Sequence, residues 1–208
     1  MAETATPVKV ASLTNVSMLA AGRYHTCALQ GNVMKCWGSD AYGQIANGGT
    51  DSNTPVSQGS FSIDAIAAGD HHTCAVVTGG QLDCWGYNGF GQLGTNDLVD
   101  RPSPAQVPSL SGVTAVTAAG QGTCARVGTQ NYCWGDGING DLADGTSHEL
   151  TTPELIGALD NMTVVRGRHG GCAIDALQQL QCWGYGTLLA NGDLSTAQPQ
   201  LVDLACHR

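Results

Sequence analysis

Positive charge is what this chain has least of: eight lysines and arginines stand against 17 aspartates and glutamates, a formal net charge of −9. Such a surface repels a phosphate backbone, and no basic run offsets it, so nucleic acid is not expected as a partner. Long hydrophobic runs are also missing. No apolar stretch approaches the roughly 20 residues that cross a bilayer as a helix, so no membrane span is expected. The N-terminus lacks the basic, then apolar, then small-residue order of a secretory signal. The motifs of common enzymes are absent as well: there is no GxSxG elbow, P-loop, HExxH or Rossmann glycine pattern. The acidic turn from Asp136 to Gly145 does not place its carboxylates at the alternating positions of a calcium loop. A non-catalytic protein without cofactor or metal is the expectation.

What is present is a repeat. HTCA…CWG and its variants occur four times, pairing Cys27 with Cys36, Cys74 with Cys84, Cys124 with Cys133 and Cys172 with Cys182. A tryptophan follows each second cysteine, and these four, Trp37, Trp85, Trp134 and Trp183, lie 48, 49 and 49 residues apart. A period of 40 to 50 residues built from short β-rich runs and turns is that of a propeller blade or a similar stacked unit. Leu13 to Gly22, Ile63 to Gly69, Val113 to Gly120 and Met162 to Gly167 read as strands, each followed by a hairpin.

The hairpin register sets the expected redox state. If Cys27 faces Cys36, then Gln30 faces Val33 and Gly31-Asn32 form a two-residue loop, a favoured turn because glycine tolerates positive φ. The same counting leaves Gly128-Thr129 in the third copy, and Thr78 to Gly80 and Ala176 to Gln178 in the second and fourth. Each cysteine pair then occupies a non-hydrogen-bonded site, where side chains approach closely, so each copy can close a disulfide. Four closures suit an oxidising compartment, extracellular or periplasmic. Zinc competes, because His25 and His72 lie two residues before a cysteine. Gly122 and Gly170 hold that place in the other copies, which leaves no maintained ligand set. Cys206 is the ninth cysteine and lies outside the pattern; it is open to an intermolecular bridge or to burial as a thiol.

The combination of an AG doublet, HTCA, a hairpin turn, CWG and then GQLG at Gly91 to Gly94 resembles the regulator of chromosome condensation repeat. The resemblance covers nearly the whole chain and implies an all-β propeller of four-stranded blades. The cysteine pairs are similar to a variant found in bacterial and exported members. The family includes a nucleotide-exchange factor, receptor-associated modules and a bacterial β-lactamase inhibitor, so it implies a fold more than an activity. Its propellers usually carry seven repeats, whereas this chain has four.

Residues 1–208 are therefore expected to form one repeat domain with units at about 7–54, 55–103, 104–152 and 153–198 and an extra terminal strand at 199–208. The extra strand could close a four-bladed ring by pairing first with last, or join another chain; a piece of a longer propeller is the third arrangement. Adjacent in sequence, each cysteine and its tryptophan point to opposite blade faces, so the tryptophans are expected to pack between blades.

Binding should use positions that vary between copies at fixed places. The turns after the AG doublet carry Arg23, Tyr24, Asp70, His71, Gln121, Arg168 and His169, a polar and aromatic ring at one end of the propeller. Arg166 replaces the alanine found at Ala21, Ala68 and Ala119, so it either projects into the axial channel to hold an anion or marks an atypical end blade. The expected function is protein binding, inhibitor-like in form, with a protein or copies of the chain itself as partner. A structural or cell-surface protein that self-assembles as a homo-oligomer, and a carbohydrate-binding propeller, are the alternatives.

Overall fold

In the computed structural model, residues 6–59, 62–185 and 195–202 are described. They form four separate antiparallel sheets of four strands each. The first holds β1 (Val16–Ala21), β2 (His25–Gln30), β3 (Val33–Gly38) and β4 (Ser52–Ser57); the second holds β5 (Ile63–Ala68), β6 (His72–Val77), β7 (Gln81–Gly86) and β8 (Arg101–Gln106). The third holds β9 (Val113–Ala119), β10 (Gly122–Val127), β11 (Gln130–Gly135) and β12 (Leu150–Leu155). The fourth holds β13 (Thr163–Gly167), β14 (Gly170–Ile174), β15 (Leu180–Tyr185) and β16 (Ser195–Leu201). Within each sheet the strands follow chain order. The innermost strands pack in series, β1 on β5, β5 on β9 and β9 on β13, so the sheets are blades arranged around an axis.

Each blade ends with its proline-bearing strand, whereas the repeat units expected from the sequence begin with it. The units are thus 16–57, 63–106, 113–155 and 163–201. Proline suits these positions because β4, β8, β12 and β16 lie at the edges of their sheets, where a missing N–H leaves no ladder bond unmade. Of the extra terminal strand expected at 199–208, residues 199–201 belong to β16, the outer strand of the fourth blade, and 203–208 lie outside the described residues. Residues 7–10 form no strand, and Val8 is 73% exposed, so they do not close a ring by pairing with the last blade.

The hairpin registers are those the cysteines imply: Cys27 faces Cys36, Cys74 faces Cys84, Cys124 faces Cys133 and Cys172 faces Cys182. All four pairs are disulfides, each with Cα atoms 4.1 Å apart. Gly31 and Gly128 begin their two-residue loops at φ of 61° and 58°, where a Cβ would be strained.

Disulfide and tryptophan meet across blade boundaries. Cys27 and Cys36 share a buried cluster with Trp85 of the next blade. Cys74 and Cys84 do the same with Trp134, and Cys124 and Cys133 with Trp183. These three tryptophans are at most 1% exposed, so they are packing residues and not a row of stacking platforms for sugars. Trp37, which belongs to the first blade, is only half-buried.

A polar relay crosses the same boundaries. His25 Nε2 lies 2.8 Å from the Thr73 hydroxyl of the next blade, which donates at 2.7 Å to the carbonyl of Gln44. His72, Thr123 and the Gln92 carbonyl repeat this at 2.9 Å and 2.9 Å. Because the threonine proton is committed to the carbonyl, the histidine must donate from Nε2, which leaves Nδ1 an unprotonated, buried acceptor with no donor facing it. Burial accordingly lowers His25 to about 4 and His72 to about 3. Both are neutral structural groups, and the cysteines beside them are bonded to each other, so neither site is a zinc centre.

The third boundary is built differently, and three substitutions account for it together. Strand pairing places Gly122 where His25 and His72 stand, Gly171 where the threonines stand, and Arg166 opposite Gly171 where Ala21 and Ala68 face Thr26 and Thr73. The Arg166 guanidinium fills the space over Gly122 and donates to the Asp141 carbonyl, the counterpart of the Gln44 and Gln92 acceptors. One long side chain replaces a histidine and a threonine. The register also shows that Ala118 is the true counterpart of Ala21, while Ala119 occupies the place of Gly22 and Gly69. A Cβ at Gly22 or Gly69 would strike the histidine ring, whereas Ala119 has none to meet because Gly122 carries no side chain.

Three outcomes are expected. The oxidised chain should weigh eight hydrogens less than its reduced sequence by intact mass spectrometry, two for each of its four bridges. His25 and His72 have folded pKa values below the unfolded 6.5, so their contribution is complete above pH 6.5 and lost as the pH falls. Denaturant melts should show about 1.5 kcal/mol lost per histidine between pH 6.5 and 5, and His72→Gln should remove its share of that slope. Gly122→His alone should destabilise by about 2 kcal/mol or more through overpacking. Adding Arg166→Ala should recover at least about 1 kcal/mol of the sum of the two single effects, as expected for residues sharing one space.

Candidate functional site

At one end of the blades, the turns between first and second strands and the long loops between third and fourth strands come together, because both leave the sheets in the same direction. This upper face is rigidly scaffolded. The Asp40 carboxylate accepts from the amides of Ile45, Asn47 and Gly49 at 2.8 Å each, folding the loop around itself. In the second blade Asn88 takes the same place, accepting from Leu93 at 2.9 Å and donating to the Asp97 carbonyl at 2.9 Å. Gln44 then accepts from the Tyr42 amide, and Gln92 from the Phe90 amide, each at 2.9 Å. The glutamine of the GQ motif is therefore the residue that holds an aromatic side chain at the loop tip.

Those tips build a continuous aromatic run across the first two blades. Tyr24 stacks on His71 with centroids 5.2 Å apart, and Tyr42 meets His71 edge-on at 5.1 Å. Tyr42 and Tyr87 are 4.9 Å apart, and Tyr87 and Phe90 are 6.2 Å apart. The Arg23 guanidinium lies 5.0 Å from the Tyr24 centroid, a cation–π contact that extends the run towards the axis. Tyr24 is 51% exposed and Tyr42 39%, while His71, Tyr87 and Phe90 are half-buried. In a chain with only five tyrosines and two phenylalanines, three tyrosines and one phenylalanine on one face are a concentration. His71 has its pKa lowered by partial burial, which favours the neutral ring within the run.

Nearer the axis, Arg23, Asp70 and Arg168 come together from the first, second and fourth blades. Arg23 lies 3.6 Å and Arg168 3.1 Å from the same oxygen, Oδ2 of Asp70. They border a depression of about 430 Å³ whose other lining residues include Ala21, Ala68 and Ala118.

Of the residues expected from the sequence, Arg23, Tyr24, Asp70, His71 and Arg168 are brought together on this face. Gln121 lies beside it, accepting from the Gln92 side chain at 2.6 Å, and His169 is exposed at the fourth blade's turn. Arg166 is not a surface group: it is 6% exposed, and burial lowers its pKa to about 10, which still leaves it charged at neutral pH. Its place is the wall between the third and fourth blades, so it is neither a free arm in the channel nor a loose end-blade residue. Tyr42, Tyr87 and Phe90 were not among the sequence-derived surface residues. Their one signal in the sequence is that Tyr42 and Phe90 each directly precede a Gly-Gln pair, whereas Asn139 stands before Gly140-Asp141 in the third copy. Cys206 lies outside the described residues.

With this geometry in view, likeness to known proteins separates fold from function. The regulator of chromosome condensation (RCC1) repeat description matches residues 36–76 and 80–126, and a second form of it matches 63–92. No curated protein matches the chain in sequence. Among solved structures, yeast RCC1 (Prp20) bound to Kap60 superimposes with a TM-score of 0.84 at 20% identity, covering 97% of this chain and 52% of that one. Human WBSCR16 gives 0.78 at 21% identity, covering 90% and 52%. The ectodomain of the Physcomitrella patens receptor kinase CR4 gives 0.53 at 21% identity, covering 80% and 38%. The chain spans about half the length of the first two relatives, and at these identities the likeness is one of fold. Four four-stranded blades and the superpositions show a propeller-type fold, and over residues 36–126 the chain is similar in sequence to the regulator of chromosome condensation repeat, with a disulfide in each of the described blades.

Proposed function

We propose that the chain is a non-catalytic protein-binding scaffold of an oxidising, extracellular or periplasmic compartment, and that it engages a protein partner through its upper face. The observation that carries this reading is the aromatic run from Tyr24 to Phe90 with Arg23 at its end. Tyrosine and arginine are the residues that dominate binding energy at protein interfaces, since they offer large contact area with a polar tip. Their positions here are set by buried loop hydrogen bonds, so little order has to be created on binding. The four disulfides support the compartment, because such bonds persist where thiols are not kept reduced.

A second reading, assembly with further blades or with copies of the chain, is favoured by one observation. Trp85, Trp134 and Trp183 are each covered by the preceding blade, and half-buried Trp37 is the equivalent surface of the first blade.

The test is capture on the oxidised chain followed by affinity measurement on the captured protein with single variants. Tyr42→Ala and Tyr87→Ala should each weaken binding about tenfold or more, the scale of an interface hot spot. Leu177→Ser, at an exposed turn on the opposite end, should leave it unchanged. Binding lost with Leu177→Ser and kept in both tyrosine variants would overturn the proposal.

A further inference from the structure

Beside the aromatic run, positive charge gathers on a chain that is otherwise strongly acidic. Arg23 and Arg168 reach from the first and fourth blades to a single oxygen of Asp70 in the second. Their side chains are 43% and 51% exposed, whereas that of Asp70 is 11% exposed. Each guanidinium has five donors in a planar fork, and one shared oxygen cannot use them. Two cations against one carboxylate leave one positive charge at the rim. The third arginine nearby, Arg166, is held in the wall by the Asp141 carbonyl and has the Asp141 carboxylate as its main opposing charge.

The depression that these arginines border supplies the room. Its volume is about 430 Å³, and its lining away from the arginines and Asp70 consists of alanines and glycines. Nothing bulky projects into it, so a short side chain from outside can enter and meet the guanidinium forks.

We propose that this depression receives the carboxylate of an aspartate or glutamate side chain presented by the partner protein, gripped by Arg23 and Arg168. Asp70 acts as a placeholder that keeps both guanidiniums aimed at the site in the free protein. The residual charge of one unit fits a monovalent carboxylate, and the fork geometry fits its two oxygens. A dianionic phosphate would face the Asp70 charge across the same short distance. A protein side chain is the fitting source because the aromatic run begins directly under Arg23 and offers the flanking residues a surface. This inference rests on the reading of the upper face as a protein-binding surface and names the chemistry that it recognises.

The test uses defined probes on the intact oxidised chain, read from the Nε–H signals of Arg23 and Arg168 by NMR. N-acetyl-glutamate amide should produce saturable shifts at both arginines, and N-acetyl-glutamine amide should produce none. Arg168→Gln should weaken the glutamate probe at least about tenfold, and Asp70→Asn should tighten it severalfold by removing the competing carboxylate. Inorganic phosphate should bind more weakly than the glutamate probe. A tripeptide, acetyl-Tyr-Glu-Tyr amide, should bind more tightly than the single residue, with the gain lost in Tyr42→Ala. Equal shifts from glutamate and glutamine probes, or tighter binding of phosphate, would overturn the carboxylate site while leaving the aromatic face standing. Glutamate binding with no gain from the flanking tyrosines would instead overturn the protein source and the face together.

Discussion

The boundary between neighbouring blades is the constraint on which the rest depends. There, the disulfide of one blade shares a buried cluster with the indole of the next, and a carbonyl in the first blade's long loop is held by a side chain from the second. The apolar part removes a large ring from water, an effect worth about 2 to 3 kcal/mol for a fully buried side chain of this size or somewhat less. The polar part matters for direction more than for magnitude. It ties the Gln44 and Gln92 carbonyls, and with them the loops that carry Tyr42 and Phe90, to the adjoining blade. The loops of the upper face are thereby anchored to the core beneath them.

The third boundary demonstrates that the requirement is a satisfied carbonyl in a filled space and not a particular residue. His25 with Thr73 and His72 with Thr123 meet it with two side chains, while Arg166 meets it alone above Gly122. The indole nitrogens of Trp134 and Trp183 reinforce it, donating at 2.9 Å and 3.0 Å to the Gln92 and Asp141 carbonyls. An arginine in so dry a place survives because its charge has Asp141 beside it and because the guanidinium is weakly hydrated to begin with. The exchange has a consequence for the surface as well. It draws Arg166 inward and leaves Arg168, two residues on, as the fourth blade's exposed cation facing Asp70.

Much of the scaffold was legible in the sequence because it is written in short-range terms. The Cys27 to Cys36 spacing determines a two-residue loop, that loop determines which residues face each other, and the neighbouring tryptophan is then forced onto the opposite face. The phase of the blades was not legible. A repeat has no intrinsic beginning, and only the ladder between β3 and β4 shows that the proline strand closes a unit. The site was legible in part: the turns that follow the AG doublet do carry Arg23, Tyr24, Asp70 and His71 to one face. Tyr87 was not, because its partners Tyr42 and Phe90 lie 45 residues before and three after it, and only the loop folds bring the rings together. Arg166 was misplaced because aligning on the AG doublet hid the one-residue offset at Ala118-Ala119, and because burial of a cation depends on what neighbouring strands leave empty.

The central claim is that the face is preformed by buried hydrogen bonds and the blade boundary below it. It is tested most directly by amide hydrogen exchange in the oxidised chain at Ile45 and Leu93, whose N–H groups donate to Asp40 and Asn88 inside the loops. The account predicts that these two loop amides exchange as slowly as the strand amides of β6 and β10, as parts of one cooperative unit. Exchange as fast as that of the exposed hairpin turns would contradict it, because the aromatic run would then have no fixed base.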